Sequence, residues 1–225
     1  MSANQFKYPR TPHIAGSCAT SDDVVLKGSA ELLGDSFMVT EKMDGTNIVM
    51  TCDGMMTRSG NQPASSWGYP LYSTWNRIAH MIPEGLGVCG EFLYWRKSVP
   101  YDSLVSDFLV FSMIDLDAGM VLDWDTTTMW ADELGLHLVP VIGHEDDYQS
   151  VVHQGHQYMK HKESESIPVE GFVVRDAGEF PVPEFCQHVA KFVRSGFTGV
   201  RGNNGRNVVY SFELSKRWLP PLYIP

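Results

Sequence analysis

Seven short segments rich in Val, Phe and Ile, each bounded by Gly, Asp or Pro, recur along the sequence and predict β-strands. They are Phe37–Thr40, Asn47–Cys52, Leu86–Leu93, Phe108–Leu116, Val169–Arg175, Gln187–Val193 and Asn207–Leu214. Helical patterns lie between them at Asp22–Leu33, Leu71–Met81, Thr126–Leu134 and Asp147–Lys162. Helices placed irregularly among strands, with hairpin connections such as Cys52-Asp53-Gly54, predict an α+β fold of largely antiparallel sheets with flanking helices.

Composition favours one packed domain over residues 1–225. Hydrophobic residues make up 43% of the 225 residues and charged residues 20%, which argues against disorder. The four cysteines contain no CxxC pair, so we expect reduced thiols without a zinc site. The sequence shows neither a signal peptide nor an apolar run long enough for a bilayer, and we expect a cytoplasmic protein, in the host cytoplasm if it is viral.

Charge is distributed unevenly along the chain. The formal net charge is −10, which is unfavourable for a protein that coats nucleic acid. Residues 1–185 carry 11 basic and 26 acidic side chains, whereas residues 186–217 carry six basic side chains and one acidic. The basic stretch is either a local contact for a polyanion or a solvated surface, and charge alone leaves both open.

One segment stands out chemically, Glu41-Lys42-Met43-Asp44-Gly45-Thr46-Asn47. A lysine at a strand end before an Asp-Gly turn is either an exposed lysine beside a hairpin or a nucleophile. A free lysine, with a pKa of about 10.4, attacks poorly at neutral pH. It has to be desolvated or placed beside other cations. If Lys42 is a nucleophile, we expect other basic groups near it.

Five further segments follow in order, and the six together resemble the motifs of a known superfamily. They are Thr57-Arg58-Ser59-Gly60, Gly90-Glu91-Phe92-Leu93, the strand from Phe108 to Asp115, Glu170-Gly171-Phe172-Val173-Val174-Arg175 and Val189-Ala190-Lys191-Phe192-Val193-Arg194. The order over residues 41–194 resembles the covalent nucleotidyltransferases: ATP-dependent DNA ligases, RNA ligases and mRNA capping enzymes. The leader from Lys7 to Ile14, Glu41 and the Thr46-Asn47 pair resemble the RNA ligase branch that includes the phage nick-sealing enzymes.

The resemblance implies a nucleotidyltransferase (ATP-grasp-like ligase adenylation) domain and the activity of an ATP-dependent RNA ligase in RNA repair. Its reaction adenylylates Lys42, passes AMP to a 5′-phosphate of RNA and joins that end to a 3′-hydroxyl, with Mg²⁺ or Mn²⁺ required. The implied catalytic residues are Lys42, Asp44, Glu170 and Lys191. The implied nucleotide-binding residues are Glu41, Lys42, Asn47, Arg58, Glu91, Phe111, Glu170, Lys191 and Arg194, and Glu170 is the implied metal ligand.

The resemblance also implies individual roles. Arg58 contacts sugar or phosphate, Glu91 accepts from the ribose hydroxyls, and Phe111 stacks on adenine; ordinary surface or core positions are the alternatives. Strand alternation places Phe111 on the same face as Leu109.

The two last motifs are interpreted in the same way. Alternation places Glu170 on the same face as Phe172 and Val174, and Lys191, implied at the α-phosphate, on the face of Val189 and Val193.

Two departures from the family pattern leave roles open. Ser112 stands where the family often has Asp, with Asp115 just beyond. The second basic residue of the last motif is Arg194, at i+3 rather than i+2 from Lys191, so it points away unless the strand ends or bulges there.

Other functions are weighed against this one. Residues 195–225 form a short tail, and we expect no separate OB domain of the kind DNA ligases and capping enzymes carry. A DNA ligase, a capping-type nucleotidyltransferase and an inactive nucleic-acid-binding relative remain the alternatives.

The helical spacing of His153, His156 and His161 indicates a solvated helix face rather than a metal site. Residues 199–206 lack the ending of a P-loop.

Overall fold

The computed structural model describes residues 6–21, 23–26, 32–63 and 68–195. The strands are β1 (Phe37–Lys42), β2 (Thr46–Thr51), β3 (Gly54–Thr57), β4 (Leu86–Phe92), β5 (Phe108–Asp115), β6 (Met120–Val121), β7 (His137–Leu138), β8 (Val141–Glu145), β9 (Gly171–Asp176), β10 (Phe180–Pro181) and β11 (Val189–Val193). The helices are α1 (Gly68–Ile78), α2 (Trp124–Glu133), α3 (Tyr148–Ser164) and α4 (Phe185–His188), with 3-10 turns at Ala79–Met81 and Val182–Glu184.

The first sheet has the strand order β11-β9-β1-β8, and every pairing in it is antiparallel. Its outer face packs against α3, where Val151 of the helix meets Val39 and Phe172 of the strands in one buried cluster. Gly155 of α3 allows this close approach, because a Cβ there would lie 2.7 Å from the Phe172 ring. The helix therefore covers one face and leaves the other free for the second sheet.

The second sheet has the order β10-β6-β5-β4-β2-β3, and β7 joins β5 in parallel. Its outer face packs on α1 and α2 through a cluster that includes Ile48, Leu71 and Ala131. Its inner face turns toward the first sheet. Buried apolar clusters there combine residues of both sheets, such as Cys89 with Val189 and Met38 with Leu109.

The leader forms an additional edge beside β11. The amide of Ile14 donates to the carbonyl of Lys191 at 2.8 Å, and the amide of Lys191 donates to the carbonyl of Pro12 at 2.9 Å. Upstream, Phe6 is buried in the cluster between the sheets. The segment that resembles the RNA ligase leader is thus part of the fold that surrounds the space between the sheets.

The predicted α+β class with largely antiparallel sheets is confirmed. Strands occur at six of the seven predicted segments, and the seventh, at residues 207–214, lies outside the described residues. β3 is the strand that follows the predicted hairpin, whereas β6, β7, β8 and β10, each two to five residues long, were not predicted. The predicted hairpin at residues 52–54 is present, with Thr51 paired to Gly54.

One predicted strand start and one predicted helix are wrong. Gln187 and His188 belong to α4, and the strand begins only at Val189. The helix predicted over residues 22–33 is not formed where the chain is described. Val25 bridges to His13 there, and the amide of Leu26 donates to the His13 carbonyl at 2.8 Å. The pairing with the leader gives these backbone groups the partners that a helix was expected to supply.

Within the described part of the chain, no helix has the length and apolar character needed to cross a membrane. All four cysteines are free thiols, and of these only Cys89 is buried.

Candidate active site

A cavity of about 700 Å³ opens between the two sheets, at the end of β1. All the residues predicted to bind nucleotide line it, with the exception of Arg194: Glu41, Lys42, Asn47, Arg58, Glu91, Phe111, Glu170 and Lys191. Asp44 lines it as well. Residues separated by up to 150 positions in the sequence therefore converge on one space, and this supports a common role for them.

Lys42 and Glu170 form an ion pair within the cavity. The Nζ of Lys42 lies 2.7 Å from Oε2 of Glu170, and the side chains are 23% and 13% exposed. Antiparallel pairing of β1 with β9 places Lys42 opposite Gly171, next to Glu170 in the chain. The contact is a hydrogen bond in which the ammonium donates and the carboxylate accepts.

Acidic neighbours hold Lys42 in its protonated form. Burial alone lowers the pKa of Lys42, but Glu170, Glu91 and Asp44 outweigh it, and the net pKa is raised above the ordinary value. The burial and the basic neighbour that were expected are both present, but the acidic neighbours outweigh them. One cation is nonetheless near, because burial and then the charge of Lys42 lower the pKa of Lys191. The acidic neighbours thus favour the ammonium form of Lys42, and Lys42 loses its proton more easily when their negative charge is neutralised.

Glu170 lies on a different face from the one that alternation predicts. Phe172 and Val174 pack toward α3, whereas Glu170 lines the cavity with Lys42. The reason is that β9 begins at Gly171, so Glu170 is outside the regular ladder and free of its alternation. For Lys191 the alternation holds, and Val189 lines the cavity with it.

The turn after Lys42 is fixed by hydrogen bonds to two other segments. Oδ2 of Asp44 accepts from the amides of Ser98 at 2.6 Å and Val99 at 2.9 Å. The amide of Gly45 donates to Oε1 of Glu91 at 3.0 Å. A Cβ at position 45 would lie 2.5 Å from the carbonyl oxygen of Phe92, so only glycine fits. Asp44 therefore joins the lysine turn to the segment after β4.

A β-bulge places two consecutive residues of β5 at the cavity. Cys89 pairs with Ser112 and Gly90 pairs with Val110, so Phe111 is the extra residue. Phe111 and Ser112 consequently both line the cavity, and Phe111 still packs in one cluster with Leu109, as alternation predicted. Ser112, which stands where the family often has Asp, therefore lies at the cavity.

Asp115 is not at the cavity and serves a turn instead. Its Oδ1 accepts from the amides of Asp117 at 3.0 Å and Ala118 at 2.7 Å.

Tyr8, Arg175 and Lys97 are among the cavity residues that were not predicted as site residues. The ring of Tyr8 meets Phe111 edge-on with centroids 5.3 Å apart, and burial raises its pKa. Arg175 is buried at 4% exposure and donates from its side chain to the carbonyls of Asp176 and Leu122. Lys97 is exposed at the rim. Arg175 ends a recognised motif and Tyr8 lies in the leader from Lys7 to Ile14, whereas nothing local in the sequence marks Lys97.

Glu41 and Arg194 each form a hydrogen bond with another segment of the chain. The carboxylate of Glu41 accepts from the hydroxyl of Tyr158 on α3. Because β11 ends at Val193, Arg194 follows the strand, and its amide donates to the carbonyl of Glu170 at 3.1 Å. Arg201 and Arg206, which belong to the basic stretch 186–217, lie outside the described residues.

The family model for RNA ligases matches residues 35–193, most of the chain. The chain belongs to the RNA ligase family. Its fold is similar to that of solved ligases, including an archaeal ATP-dependent RNA ligase (TM-score 0.57, 17% identity, 83% of this chain and 48% of that one). A second form of the archaeal enzyme has TM-score 0.52 and 18% identity, over 72% of this chain and 43% of that one.

A third solved relative is a putative ATP-dependent DNA ligase from Aquifex aeolicus (TM-score 0.57, 16% identity, 84% of this chain and 50% of that one). These likenesses show a ligase nucleotidyltransferase fold. This RNA ligase family member spans about half the length of the solved relatives that it resembles. Among curated proteins, none matches its sequence.

The carboxylates of this RNA ligase family site suit a metal that is shared with phosphate. Across the described residues, no group of three or more His, Cys, Asp or Glu side chains could hold a metal alone. Mg²⁺ is commonly held by one or two carboxylates together with substrate phosphates. Glu170, with one oxygen on Lys42 and its side chain partly exposed to the cavity, fits that arrangement.

His156 has a packing role, with its ring 4.5 Å from that of Phe192.

Because Glu91 is buried, we expect its ionisation to lower the unfolding free energy of this family member in a pH-dependent way. Burial raises its pKa to about 7, Glu170 adds to the rise, and Lys42 partly offsets it. Because the folded-state pKa lies above the unfolded value, ionised Glu91 destabilises the fold above pH 7, and the cost disappears as the pH falls toward 4.5. Glu91→Gln keeps an acceptor for the Gly45 amide and should raise the unfolding free energy by about 2 kcal/mol at pH 8, with allowance for partial exposure.

The comparison is urea unfolding of Glu91→Gln and the parent at pH 8 and at pH 5, where the difference should fall to about a quarter of its value at pH 8. Glu133→Gln, an exposed change on α2, should be neutral at both values. A stabilisation of equal size at the two pH values would contradict the burial of an ionised Glu91.

Proposed function

We propose that the protein is an ATP-dependent RNA ligase that adenylylates itself on Lys42, transfers AMP to a 5′-phosphate and seals that end to a 3′-hydroxyl. The observation that carries the proposal is the ion pair of Lys42 with Glu170 in a cavity that also contains Glu91 and Lys191. Membership of the RNA ligase family supports it. The chemistry requires an amine, anion-binding groups and ribose acceptors in one space, and these residues have those properties.

In the first step, the Nζ of Lys42 attacks the α-phosphorus of ATP. A nitrogen–phosphorus bond forms, the bond from phosphorus to the bridging oxygen breaks, and pyrophosphate leaves. Lys42 has to lose a proton first, and the charge of Lys191 favours that loss because it opposes a second ammonium nearby. Lys191 also stabilises the negative charge that develops on the α-phosphate. Glu170 would hold a divalent metal together with the phosphates, and the bound metal would supply charge that neutralises phosphate oxygens.

The remaining steps use the same positions. The 5′-phosphate of the nucleic acid attacks the phosphorus of the Lys42 adduct, and the lysine leaves as the amine. The 3′-hydroxyl then attacks the 5′-phosphate, a phosphodiester forms, and AMP is the leaving group. Lys191 stabilises the α-phosphate while it is attacked in the first two transfers, and in the third it stabilises the same phosphate as AMP leaves.

Recognition of the adenosine is assigned to the inner part of the cavity. Phe111 offers an aromatic ring to the base, and Tyr8 supports that ring edge-on from the leader. Glu91 is the carboxylate for the ribose hydroxyls, and its position is fixed by the amide of Gly45. Asn47 pairs with Glu91 across β2 and β4, and its Oδ1 has no hydrogen-bond partner among the described residues. That oxygen is buried and available to a donor on the nucleotide.

The preference for RNA is tested with nicked duplexes whose 3′-hydroxyl end is either RNA or DNA. A site can tell the two polymers apart by the 2′-hydroxyl, and we expect RNA-ended nicks to be sealed at least tenfold faster. The control is formation of the AMP adduct without nucleic acid, which should proceed whichever kind of nick the enzyme prefers. Equal sealing of both nicks would favour the DNA ligase alternative, and an absence of adduct would favour the inactive binding relative.

A further inference from the structure

The mouth of the cavity carries a cation that the proposed chemistry does not use. Lys97 follows β4 by five residues, lines the cavity and is exposed. It makes no ion pair or hydrogen bond with any residue of the described ranges 6–21, 23–26, 32–63 and 68–195. Its charge acts on Glu91, whose pKa is raised by burial and partly lowered again by Lys42 and Lys97. Lys97 therefore lies close enough to Glu91 for its charge to act on that carboxylate.

The topology of the second sheet places Lys97 and Arg58 on either side of the lysine turn. β3 and β4 both pair with β2 in the antiparallel sense, so their carboxyl ends lie at the edge where β2 begins. Thr46 at the start of β2 pairs with Phe92 at the end of β4. Arg58 directly follows β3. A phosphate backbone that crosses this edge to reach Lys42 passes between two cations.

The backbone that carries Lys97 is held in place. The amides of the next two residues, Ser98 and Val99, donate to Oδ2 of Asp44, and the Asp44 amide donates to the hydroxyl of Tyr101 at 2.6 Å. Val99 is fully buried, at 0% exposure. The segment is thus fastened to the lysine turn itself, whereas the Lys97 side chain is exposed. A fixed backbone with a free ammonium is the arrangement expected of a phosphate contact.

Electrostatics explain why a cation is needed at this point. Asp44, Glu91 and Glu170 line the cavity, and the chain has a net charge of −10, so a polyanion is repelled as it approaches. Lys42 and Lys191 lie deeper, beside the position proposed for the α-phosphate. We infer that Lys97 binds a backbone phosphate of the nucleic-acid strand as it enters the cavity, opposite Arg58, and that it does not bind the phosphates of ATP. The inference rests on the proposed function, since the cavity must receive a nucleic-acid end.

The test measures binding without chemistry. The probe is a fluorescent nicked RNA duplex with a 5′-adenylylated end and a 3′-deoxy terminus at the nick, titrated with the full chain across a salt series. Lys97→Ala should weaken binding about fivefold at 0.1 M salt and reduce the slope of log K against log salt by about one, as for the loss of one phosphate contact. Lys97→Arg should bind like the parent. Lys160→Ala removes an equal exposed charge from α3 and should have no effect.

A second measurement separates the nucleic acid from ATP as the ligand of Lys97. The concentration of ATP that half-saturates adduct formation, in the absence of RNA, should change less than twofold in Lys97→Ala. A change in ATP dependence as large as that in RNA binding would overturn the inference in favour of the ATP phosphates. An unchanged salt slope would overturn it in favour of a solvated cation. Failure of the parent to form an adduct would refute the proposed function, whereas the binding titration would still decide the role of Lys97.

Discussion

Lys42→Ala should reduce formation of the covalent AMP adduct by at least a thousandfold, because the variant has no amine at the position of attack. The same variant should still seal a nick whose 5′ end already carries AMP, since Lys42 is the nucleophile only in the first step. Roughly 4 kcal/mol of transition-state stabilisation is lost in adduct formation, and much less is lost in sealing of the adenylylated nick. This split distinguishes a nucleophile from a residue that only supports the fold.

The adduct is measured by intact mass after exposure to ATP and located by peptide sequencing. Lys42→Ala leaves the largely buried Glu170 without its partner, so Lys42→Met, which retains most of the side-chain length, is the second variant, and circular dichroism checks both folds. Lys160→Ala, on the exposed side of α3, should form the adduct normally. An adduct mapped to Lys191 or to any other lysine would show that Lys42 is not the nucleophile.

The regular parts of the fold and site were predictable because period-2 alternation holds where strands pair without interruption. Lys191 and Val189 both line the cavity, since β11 pairs with β9 in unbroken register. The lysine turn was predictable from the Asp-Gly signal, and the contact of Gly45 with the Phe92 carbonyl explains why glycine is required there. Where the ladder is regular, sequence spacing is sufficient to assign a face.

Alternation failed at the two places where the ladder is interrupted. Glu170 precedes β9 and turns to the cavity, although counting from Phe172 assigns it to the face of α3. Ser112 faces the cavity beside Phe111 because of the bulge opposite Cys89 and Gly90. A bulge has no reliable signature in a single sequence, so the sequence alone could not decide whether Ser112 or Asp115 was at the site.

Contacts between distant segments account for the other omissions. Tyr8 meets Phe111 across more than a hundred residues of chain, and Lys97 reaches the cavity because Asp44 holds the segment after it. Neither contact leaves a local pattern. The predicted helix over residues 22–33 failed for a related reason: pairing with His13 competes with local helical preference.

The charge of Glu170 should determine both the rate and the pH dependence of adduct formation. Its carboxylate is the closest partner of the Lys42 ammonium and, after burial, the largest influence on the pKa of Lys42, which it raises. Glu170→Gln keeps an oxygen that can accept from Nζ but removes the charge. The pKa of Lys42 should therefore fall. The rise of the adduct-forming rate with pH, which reports deprotonation of the attacking amine, should move to lower pH.

The maximal rate of Glu170→Gln should nevertheless fall at least tenfold, or about 1.4 kcal/mol, because a neutral amide is a weaker ligand than a carboxylate for a divalent cation shared with the phosphates. The two effects have opposite signs at low pH, so they are separable in one experiment: single-turnover adduct formation from pH 6 to pH 10 at saturating ATP and Mg²⁺. Glu165→Gln, an exposed change just beyond α3, should reproduce the parent curve. An unshifted profile with a normal maximum would mean that the Lys42–Glu170 pair has no part in the first step, whereas a shift without a lower maximum would leave Glu170 a role in setting the pKa of Lys42 and remove it as a metal ligand.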